Sequence, residues 1–424
     1  MVGDAADVDF DIAIVGGGPV GAALGALLRK LAAGPPLRVV LLERERPQRA
    51  WPAAAESDPA DLRVFALSRA SENTLRHAGI WSELAARPGV LSPYERMHVW
   101  PAVVSPRGAG SLSFDAAELA EPNLGHIVGN GALQRAALQA FEAAGGELRI
   151  ATLEHLAFAA DAVELYTATG RFRASLVVGA DGARSLVRRL AGLDVVAQEY
   201  DQLAIVANLQ SERDHEHTAW QRFLGEGTLA LLPLANDQSS LVWSLPQARA
   251  AALLAAPVVE FEREVTFASD GVLGSLQLAS ERRSFPLRRV SALDYVRERC
   301  ALIGDAAHII HPLAGQGVNL GFQDAAALAE IVEVARHQHE SLGALRLLRR
   351  YQRGRRSDNE TMSLAMDGIN RWLAFGAEPF GPLAERALGW VGQSASLRGF
   401  FATRALGLAG SLPLSRSGRF SLRR

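Results

Sequence analysis

Apolar and polar residues follow one another along the start of the chain in the order that a dinucleotide-binding unit requires. An apolar run at 10–15 precedes a cluster of glycines, a helix of small residues is expected over 22–31, and a second apolar run at 38–42 ends at Glu43. Buried parallel strands are apolar on both faces, and small helical residues allow a helix to pack closely on them. The pattern predicts a Rossmann-type strand–helix–strand unit.

The pattern predicts further helices and buried strands downstream. Residues 71–84 read as an amphipathic helix with Ser71 as its N-cap, and residues 133–144 as a helix that ends at a glycine pair. Short apolar runs at 176–179 and 301–303 predict buried strands. A long helix is expected over 319–336, and the chain beyond Ser341 is expected to be mostly helical.

The sequence pattern changes from alternating strands and helices to short strands between residues 197 and 286. Short β-rich segments at 203–209, 228–233 and 241–245 are separated by turn residues. This spacing is typical of an antiparallel sheet and predicts a second domain.

Composition narrows the class of protein. The 424 residues are 49% hydrophobic and 21% charged, which is ordinary for a soluble protein of two or three domains. The net charge of −2 provides no basic field, so no nucleic-acid partner is expected. One cysteine, Cys300, excludes a disulfide framework and a thiolate metal cage. The chain has no signal peptide and no apolar run of the ~18–20 residues a spanning helix needs, so we expect a cytoplasmic protein.

The first motif that carries chemistry is Gly16-x-Gly18-x-x-Gly21. Such glycines allow a tight turn, let the backbone touch a pyrophosphate, and let the following helix lie close to the strand. Glu43 lies 22 residues beyond Gly21 at the end of a predicted strand, where a carboxylate can accept hydrogen bonds from an adenosine ribose. This motif does not separate FAD from NAD.

A second glycine-rich stretch runs from Gly304-Asp305 to Gly321, and a third motif, around Asp181-Gly182, lies between the two. Asp305, at a strand end, can bind the ribityl hydroxyls of a flavin, and backbone N–H groups at the start of the next helix can stabilise negative charge on the reduced ring. Three separated segments that bind one cofactor, around Gly16, Asp181 and Gly304, indicate FAD. No metal is expected at His308 and His311, because no Cys, Asp or Glu stands at ligand spacing around them.

These motifs together resemble the class A flavoprotein monooxygenases. Within that class the chain is similar to the ubiquinone-biosynthesis hydroxylases, which oxidise polyprenylphenols. The resemblance extends over about 8–350 and is weakest in the C-terminal tail. It is carried by Asp-Leu-Arg-Val-Phe-Ala-Leu-Ser at 61–68, Gly-Ile-Trp at 79–81, Tyr94-x-x-Met97-x-Val99-Trp100, Gly-His-Ile-Val at 125–128 and the stretch 311–321. Where relatives tend to have Glu-Asn after Gly-His-Ile-Val, this chain has Gly129-Asn130.

The resemblance implies an α/β fold: a Rossmann-like, hydroxybenzoate-hydroxylase-like FAD-binding domain, an antiparallel-sheet substrate domain and a C-terminal helical segment. It places 1–75, 126–195 and 286–345 in the FAD-binding domain. The substrate domain would comprise 76–125 and 196–285, and the C-terminal helical segment 346–424.

The resemblance also implies a set of cofactor-binding residues. The ADP half of FAD would be held by the first glycines and Glu43, and the flavin half by the second stretch. Pro312 would lie over the flavin near its reactive edge, and His311 is the most tempting general base, although a packing role suits it as well. The cofactor-binding residues so implied are Gly16, Gly18, Gly21, Glu43, Arg63, Gln134, Asp181, Gly304, Asp305, Gly315, Gly317, Val318 and Asn319.

The activity that the resemblance implies is hydroxylation of a polyprenylphenol ring with NAD(P)H and O2, through a flavin C4a-hydroperoxide. Two alternatives stay open. One is a hydroxylase of a small soluble aromatic, with Arg222 as a weak candidate to anchor a carboxylate. The other is a flavin-bound assembly subunit of a quinone-synthesis complex. Alternate residues of the predicted sheet should face the ring, among Trp220, Phe223, Leu231, Pro233 and Trp243.

The C-terminal part predicts a reversible, peripheral contact with the inner membrane. It combines aromatic and apolar residues with arginines that suit anionic lipid. The apolar groups are Trp372, Leu373, Phe375, Phe380, Trp390, Phe400 and Phe401, and the arginines are Arg398, Arg404, Arg416, Arg419, Arg423 and Arg424. Packing of the same aromatics on the protein or on a partner subunit is the alternative.

Overall fold

The chain folds around β-sheets that bring its distant segments together. The computed structural model describes residues 8–51, 62–108, 110–309 and 317–374, with backbone only over 361–374. The strands are β1 (Phe10–Val15), β2 (Val39–Glu43), β3 (Val64–Ser68), β4 (Leu91–Tyr94), β5 (Arg96–Pro101), β6 (Leu112–Asp115), β7 (Gly125–Gly129), β8 (Glu147–Ile150), β9 (Leu153–Phe158), β10 (Val163–Thr167), β11 (Gly170–Gly179), β12 (Val195–Ser211), β13 (Thr218–Leu224), β14 (Gly227–Pro233), β15 (Gln238–Pro246), β16 (Leu276–Leu278), β17 (Arg283–Ala292), β18 (Val296–Arg297), β19 (Cys300–Leu302) and β20 (His308–Ile309).

The helices lie between and after these strands. They are α1 (Pro19–Arg29), α2 (Arg69–Ala78), α3 (Ile80–Ala85), α4 (Asn130–Ala143), α5 (Leu186–Leu190), α6 (Gln247–Ala255), α7 (Val258–Ala268), α8 (Gly317–His337) and α9 (Leu345–Ala374). Short 3-10 turns occupy Ala116–Leu119 and Gly304–Ala306.

The first sheet has the order β18-β19-β11-β1-β2-β8, with β10 and β9 attached to β11. Strands β19, β11, β1, β2 and β8 run parallel to one another, whereas β18 and β10 pair antiparallel with β19 and β11. Helix α1 packs against α4 and against α8 beside it, and the apolar side chains between the layers form the main core. The Rossmann-type prediction is confirmed, although α1 begins at Pro19, with Gly18 as its N-cap, rather than at residue 22.

The predicted helix over 71–84 is wrong in its boundaries. Ser68, not Ser71, is the N-cap: its side-chain oxygen accepts the Ser71 N–H. Gly79 then adopts φ of 79°, a left-handed conformation that ends α2 and starts α3 at a new angle. A glycine at this position tolerates the left-handed backbone without steric cost, which is why one amphipathic stretch becomes two helices.

The second sheet has the order β20-β17-β12-β15-β14-β13-β5-β6, with β16 attached to β12. The three predicted segments lie inside β12, β14 and β15, which pair antiparallel as expected. Helices α6 and α7 were not predicted. They cover one face of this sheet and form a second core with it, through residues such as Phe261 and Val265.

The third sheet, β3-β7-β4, joins the other two. Ala66 and Ile127 on it pack against Ala219 and Leu232 of the second sheet. Helix α3 contributes Ile80 and Trp81 to the core of the first sheet. The proposed division of the chain into three domains stays a prediction.

Helix α9 continues from α8 and packs against it and against β18. Over the described residues, no helix combines the length and apolarity needed to cross a bilayer. Most of the aromatic and basic residues predicted to contact a membrane lie beyond residue 374, outside the described part of the chain.

Candidate active site

The three cofactor motifs meet at one edge of the first sheet. The Gly304 turn follows β19, the Asp181 motif follows β11, the Gly16 loop follows β1, and Glu43 ends β2. These four strands are adjacent and parallel. Because the carboxyl ends of parallel strands share an edge, motifs almost 300 residues apart in sequence become neighbours.

The loop after β1 is shaped by close backbone contacts. Gly16 has φ of 109°, and a Cβ atom there would lie 2.3 Å from the Ala180 carbonyl oxygen. The Ala180 N–H donates to the Val15 carbonyl at 2.8 Å, which fixes the second motif against the first. By contrast, a Cβ at Gly18 would meet no atom within 4 Å. The loop is therefore tight against the protein and open at the start of α1, where a pyrophosphate would bind.

Glu43 and Gln134 both hold the segment around Gly17. The Glu43 Oε2 atom accepts the Gly17 N–H at 2.6 Å, and Gln134 Nε2 donates to the Gly17 carbonyl oxygen at 2.8 Å. Both residues were predicted to contact the cofactor. The structure places them at the phosphate loop, where they fix its position from two sides.

Gly304 and Gly321, near the two ends of the second glycine-rich stretch, approach α1 from the other side. Gly304 has φ of 57°, and a Cβ at Gly321 would lie 2.7 Å from Val20 Cγ2 and 3.4 Å from the Gly304 Cα. Only a residue without a side chain allows α8 to approach α1 this closely. The approach brings Asp305 to the same edge as Gly18.

The Asp305 side chain is exposed at the sheet edge that carries the three motifs, and we call the surface at this edge the cleft. Burial raises the pKa of Asp305 above its ordinary value of 3.8, while the charges of His308, Arg63 and Arg288 oppose that rise. Among the described residues no hydrogen bond to this carboxylate is present. Asp305 is thus a desolvated acceptor that faces the cleft.

The first turn of α8 contains Gly317, Val318 and Asn319. Among the described residues, a Cβ at Gly317 would meet no atom within 4 Å, which leaves space between them beside the start of the helix. The Asn319 side chain does not face that space. Its Oδ1 accepts from the Ser68 N–H at 3.0 Å and from Ser71 Oγ at 2.7 Å, and its Nδ2 donates to the Ala66 carbonyl at 2.8 Å. The Asn319 side chain therefore fastens α8 to β3 and α2, and the contact of Asn319 with the flavin stays a prediction.

Asp181 is used locally. Its carboxylate accepts from Ser185 Oγ and from the Leu186 and Val187 N–H groups, the latter two at 2.6 and 3.1 Å, so it caps α5. Arg188, which sequence reasoning missed, links this motif to the Gly304 turn. The Arg188 Nη1 atom donates to the Ala306 carbonyl at 2.7 Å, and Nη2 donates to the Ala183 carbonyl at 3.2 Å. Its position after a glycine-containing loop gave no periodic signal.

Arg63 lies near the cleft, with its Cζ atom 6.0 Å from the centre of the Phe285 ring. Gly129, where relatives tend to have glutamate, is the N-cap of α4, and a Cβ there would meet no atom within 4 Å. His311, Pro312 and Gly315 lie outside the described residues, and their roles stay predictions.

Three of the five sheet residues expected near the flavin ring lie on the face of the sheet that α6 and α7 cover. Trp220, Leu231 and Trp243 pack in the second core under α6 and α7. The register places Phe223 on the opposite face, beside Thr228 and Ser244. Strand register, which the sequence does not show, decides which of two alternating sets is buried.

Arg222 faces the α6–α7 side as well. Its Nη1 atom is 2.9 Å from Asp270 Oδ1 and donates to the Ala268 carbonyl at 2.9 Å, and Nη2 donates to the Ala102 carbonyl at 3.3 Å. Both terminal nitrogens of the guanidinium are therefore engaged in structural contacts, while its Nε atom is buried without a hydrogen-bond partner among the described residues.

The residues at this edge fit FAD. The open space at Gly18 suits a pyrophosphate, Asp305 offers an acceptor to sugar-like hydroxyls, and the start of α8 offers N–H groups to an anionic ring.

The comparisons with known proteins agree with this site. Residues 9–362 match the FAD binding domain family, to which the chain belongs. Among solved structures, p-nitrophenol 4-monooxygenase PnpA from Pseudomonas putida superimposes with a TM-score of 0.72, at 18% identity over 94% of this chain and 98% of that one. The anhydrotetracycline hydroxylase OxyS from Streptomyces rimosus gives 0.66, at 21% identity over 95% and 77%. The fold and the site define a class A, FAD-dependent aromatic-ring monooxygenase.

Within that class the sequence relatives are ubiquinone-biosynthesis hydroxylases, as the motifs predicted. The chain is 39% identical over 360 residues to 3-demethoxyubiquinol 3-hydroxylase of Escherichia coli (strain K12), covering 84% of this chain and 88% of the relative. It is 34% identical over 409 residues to ubiquinone hydroxylase UbiL of Rhodospirillum rubrum, covering 95% and 90%. It is 31% identical over 423 residues to mitochondrial COQ6 of Mus musculus, covering 89% and 87%.

Proposed function

We propose that this protein hydroxylates the ring of a polyprenylphenol in ubiquinone biosynthesis, with NAD(P)H as reductant and O2 as oxidant. Support for the pathway comes from the relatives, whose names place them in ubiquinone biosynthesis. Bound FAD supplies the oxygen-transfer chemistry. The chain's own residues bind the cofactor at the sheet edge, orient the ring and exclude water.

The observation that carries the choice of substrate is the engagement of Arg222. A small aromatic acid needs a basic group to anchor its carboxylate, and Arg222 was the candidate on the sheet. Its guanidinium is bound to Asp270 and to backbone carbonyls on the face turned away from the third sheet. Releasing it would leave Asp270 without its partner, which is costly for a partly buried pair.

The face of the second sheet opposite Arg222 suits an apolar ligand. Ala230, Val242 and Val206 lie side by side on it by strand register. Leu232 and Ala219, on the same face, pack against the third sheet. The same face also carries the polar residues Thr228, Ser240 and Ser244. Apolar walls combined with some polar groups are typical of small-molecule binding sites.

The test is turnover by the FAD-reconstituted protein. We expect NAD(P)H and O2 consumption that depends on an added polyprenylphenol, and a product heavier by one oxygen atom. A hydroxybenzoate serves as the matched soluble aromatic. Coupled turnover with the hydroxybenzoate alone would favour the small-aromatic reading, and FAD binding without turnover on either would favour an assembly subunit.

Peripheral membrane contact and membership of a quinone-synthesis complex belong to the same proposal. An apolar substrate resides in the membrane, so the enzyme must reach its surface. Liposome flotation of the full chain and of a chain that ends before Ser363 tests the C-terminal anchor. Equal flotation of the two would exclude it.

A further inference from the structure

A buried cluster of charges lies directly behind the Gly304 turn. Asp324, in the middle of α8, is fully buried. Its Oδ2 accepts from the Gly304 N–H at 3.0 Å and from His308 Nε2 at 2.6 Å. Its Oδ1 accepts from Arg355 Nε at 2.8 Å and from Asn359 Nδ2 at 3.3 Å. A carboxylate offers about four acceptor positions, so these donors saturate it.

The cluster is held in place from α9. Arg355 is 2% exposed, and its remaining nitrogens donate to Asn359 Oδ1 at 2.7 Å and to Asp358 Oδ2 at 3.1 Å. Burial alone would raise the pKa of Asp324, but the charges of His308 and Arg355 and their hydrogen bonds lower it to about 2. Asp324 is therefore ionised at neutral pH, and its geometry is fixed by α9 on one side and by the turn on the other.

Asp324 binds Gly304, the residue directly before Asp305. The Gly304 N–H bonds to Asp324, and the next residue is Asp305, whose carboxylate lies in the cleft. The hydrogen bond that the Gly304 N–H donates to this buried, saturated carboxylate restricts the peptide group between Ile303 and Gly304, one residue before Asp305. The direction of the Asp305 side chain thus depends on where Asp324 lies, and the position of Asp324 depends on Arg355.

We propose that Asp324 and Arg355 are positioning residues for the cofactor: Arg355 on α9 fixes Asp324, and Asp324 fixes the turn that aims Asp305 at FAD. The proposal rests on the proposed role of Asp305 in binding FAD. It makes α9, the helix that leads into the C-terminal region, a determinant of FAD affinity without contact between α9 and FAD.

A purely structural role for the cluster predicts something different. If Arg355 only stabilised the fold, its loss would weaken FAD binding by the same factor whether or not Asp305 is present. If Arg355 acts through Asp305, its loss should matter only while Asp305 is there. A double-mutant cycle separates the two roles because contributions that pass through one group are not additive.

The experiment measures the FAD dissociation constant of full-length apoprotein by flavin fluorescence titration. The four proteins are wild type, Arg355→Met, Asp305→Ala and the double variant. We expect Arg355→Met to weaken FAD binding about tenfold in the wild-type background and less than about twofold when Asp305 is absent. At saturating FAD, Arg355→Met should also change the visible circular dichroism of the bound flavin. Equal weakening in both backgrounds would overturn the proposal.

Arg356→Met is the matched control. Arg356 is the next residue on α9 and pairs with Glu360 at 2.7 Å, but it is part-exposed and lies outside the Asp324 cluster. It should leave FAD affinity and the flavin spectrum unchanged.

Asn359→Ala is the milder variant if Arg355→Met apoprotein does not fold, because it removes one donor and leaves the ion pair. We expect it to weaken FAD binding about threefold, again only with Asp305 present. If Asp305→Ala alone leaves FAD affinity unchanged, the role of Asp305 and the inference both fall. Equal effects in the two backgrounds remove the inference alone.

Discussion

Replacing Asp305 by alanine should loosen FAD and, at the same time, stabilise the protein without FAD. The Asp305 carboxylate sits in the cleft, with no hydrogen bond from the described residues, and burial raises its pKa. The alanine keeps the Cβ and removes only the group that points into the cleft, so no closed cavity is created.

The two effects have opposite signs for one physical reason. Loss of a charge-assisted hydrogen bond to a sugar-like hydroxyl costs about 1.5–3 kcal/mol, which is roughly ten- to 150-fold in FAD affinity. In the apoprotein the same carboxylate is desolvated. A carboxyl group with a raised folded-state pKa destabilises the fold at pH values above its unfolded-state pKa, and the penalty is absent below that unfolded-state pKa. At pH 7, above the ordinary pKa of 3.8, the penalty is present, so its removal should raise the melting temperature of the apoprotein.

Asp181→Ala is the matched comparison because Asp181 performs a structural task at the same sheet edge. It accepts the Leu186 and Val187 N–H groups at 2.6 and 3.1 Å at the start of α5. Loss of such a cap costs about 0.5–2 kcal/mol, so this apoprotein should melt lower. Its FAD affinity should fall less than that of Asp305→Ala.

The assays are thermal melting of the apoproteins at pH 7 and titration of FAD by fluorescence. The reasoning about desolvation fails if Asp305→Ala apoprotein melts below wild type. The assignment of Asp305 to FAD fails if both variants bind FAD as tightly as wild type does.

Two further predictions follow from packing and charge. Gly321→Ala places a Cβ 2.7 Å from Val20 Cγ2, so it should destabilise the protein by about 1–3 kcal/mol; Val20→Ala in the same chain should restore most of the loss, and no restoration would mean that the strain lies elsewhere. Burial alone would raise the pKa of Asp324, but His308 and Arg355 lower it from 3.8 to about 2; the stabilisation is therefore present above about pH 4, is lost as pH falls toward 2, and amounts to roughly 2 kcal/mol. Acid unfolding curves of wild type and Asp324→Asn check this, since the variant should lose less stability across that interval, and parallel curves would contradict it.

The sequence alone indicated the class of the protein and predicted the edge of the sheet at which its cofactor would bind. The role of the glycines at 16, 18 and 21 can be predicted without a structure, because the strand, the tight turn and the helix of this motif follow one another in the sequence. The same holds for Gly304-Asp305 after an apolar strand. Motifs that end neighbouring parallel strands must meet at one edge, so the cofactor site followed from local signals and one topological rule.

The contacts that individual side chains make depend on the tertiary structure. Asn319 and Asp181 lie in the predicted motifs, yet their side chains hold helices in place. Asn319 bonds to Ala66, which is 253 residues away, and Asp181 accepts from Leu186 in the following helix. The strand register sent Trp220, Leu231 and Trp243 away from the site. Arg188, Asp324 and Arg355 gave no local signal at all: a buried charge is recognisable only by its partners, and those come from segments that the sequence keeps apart.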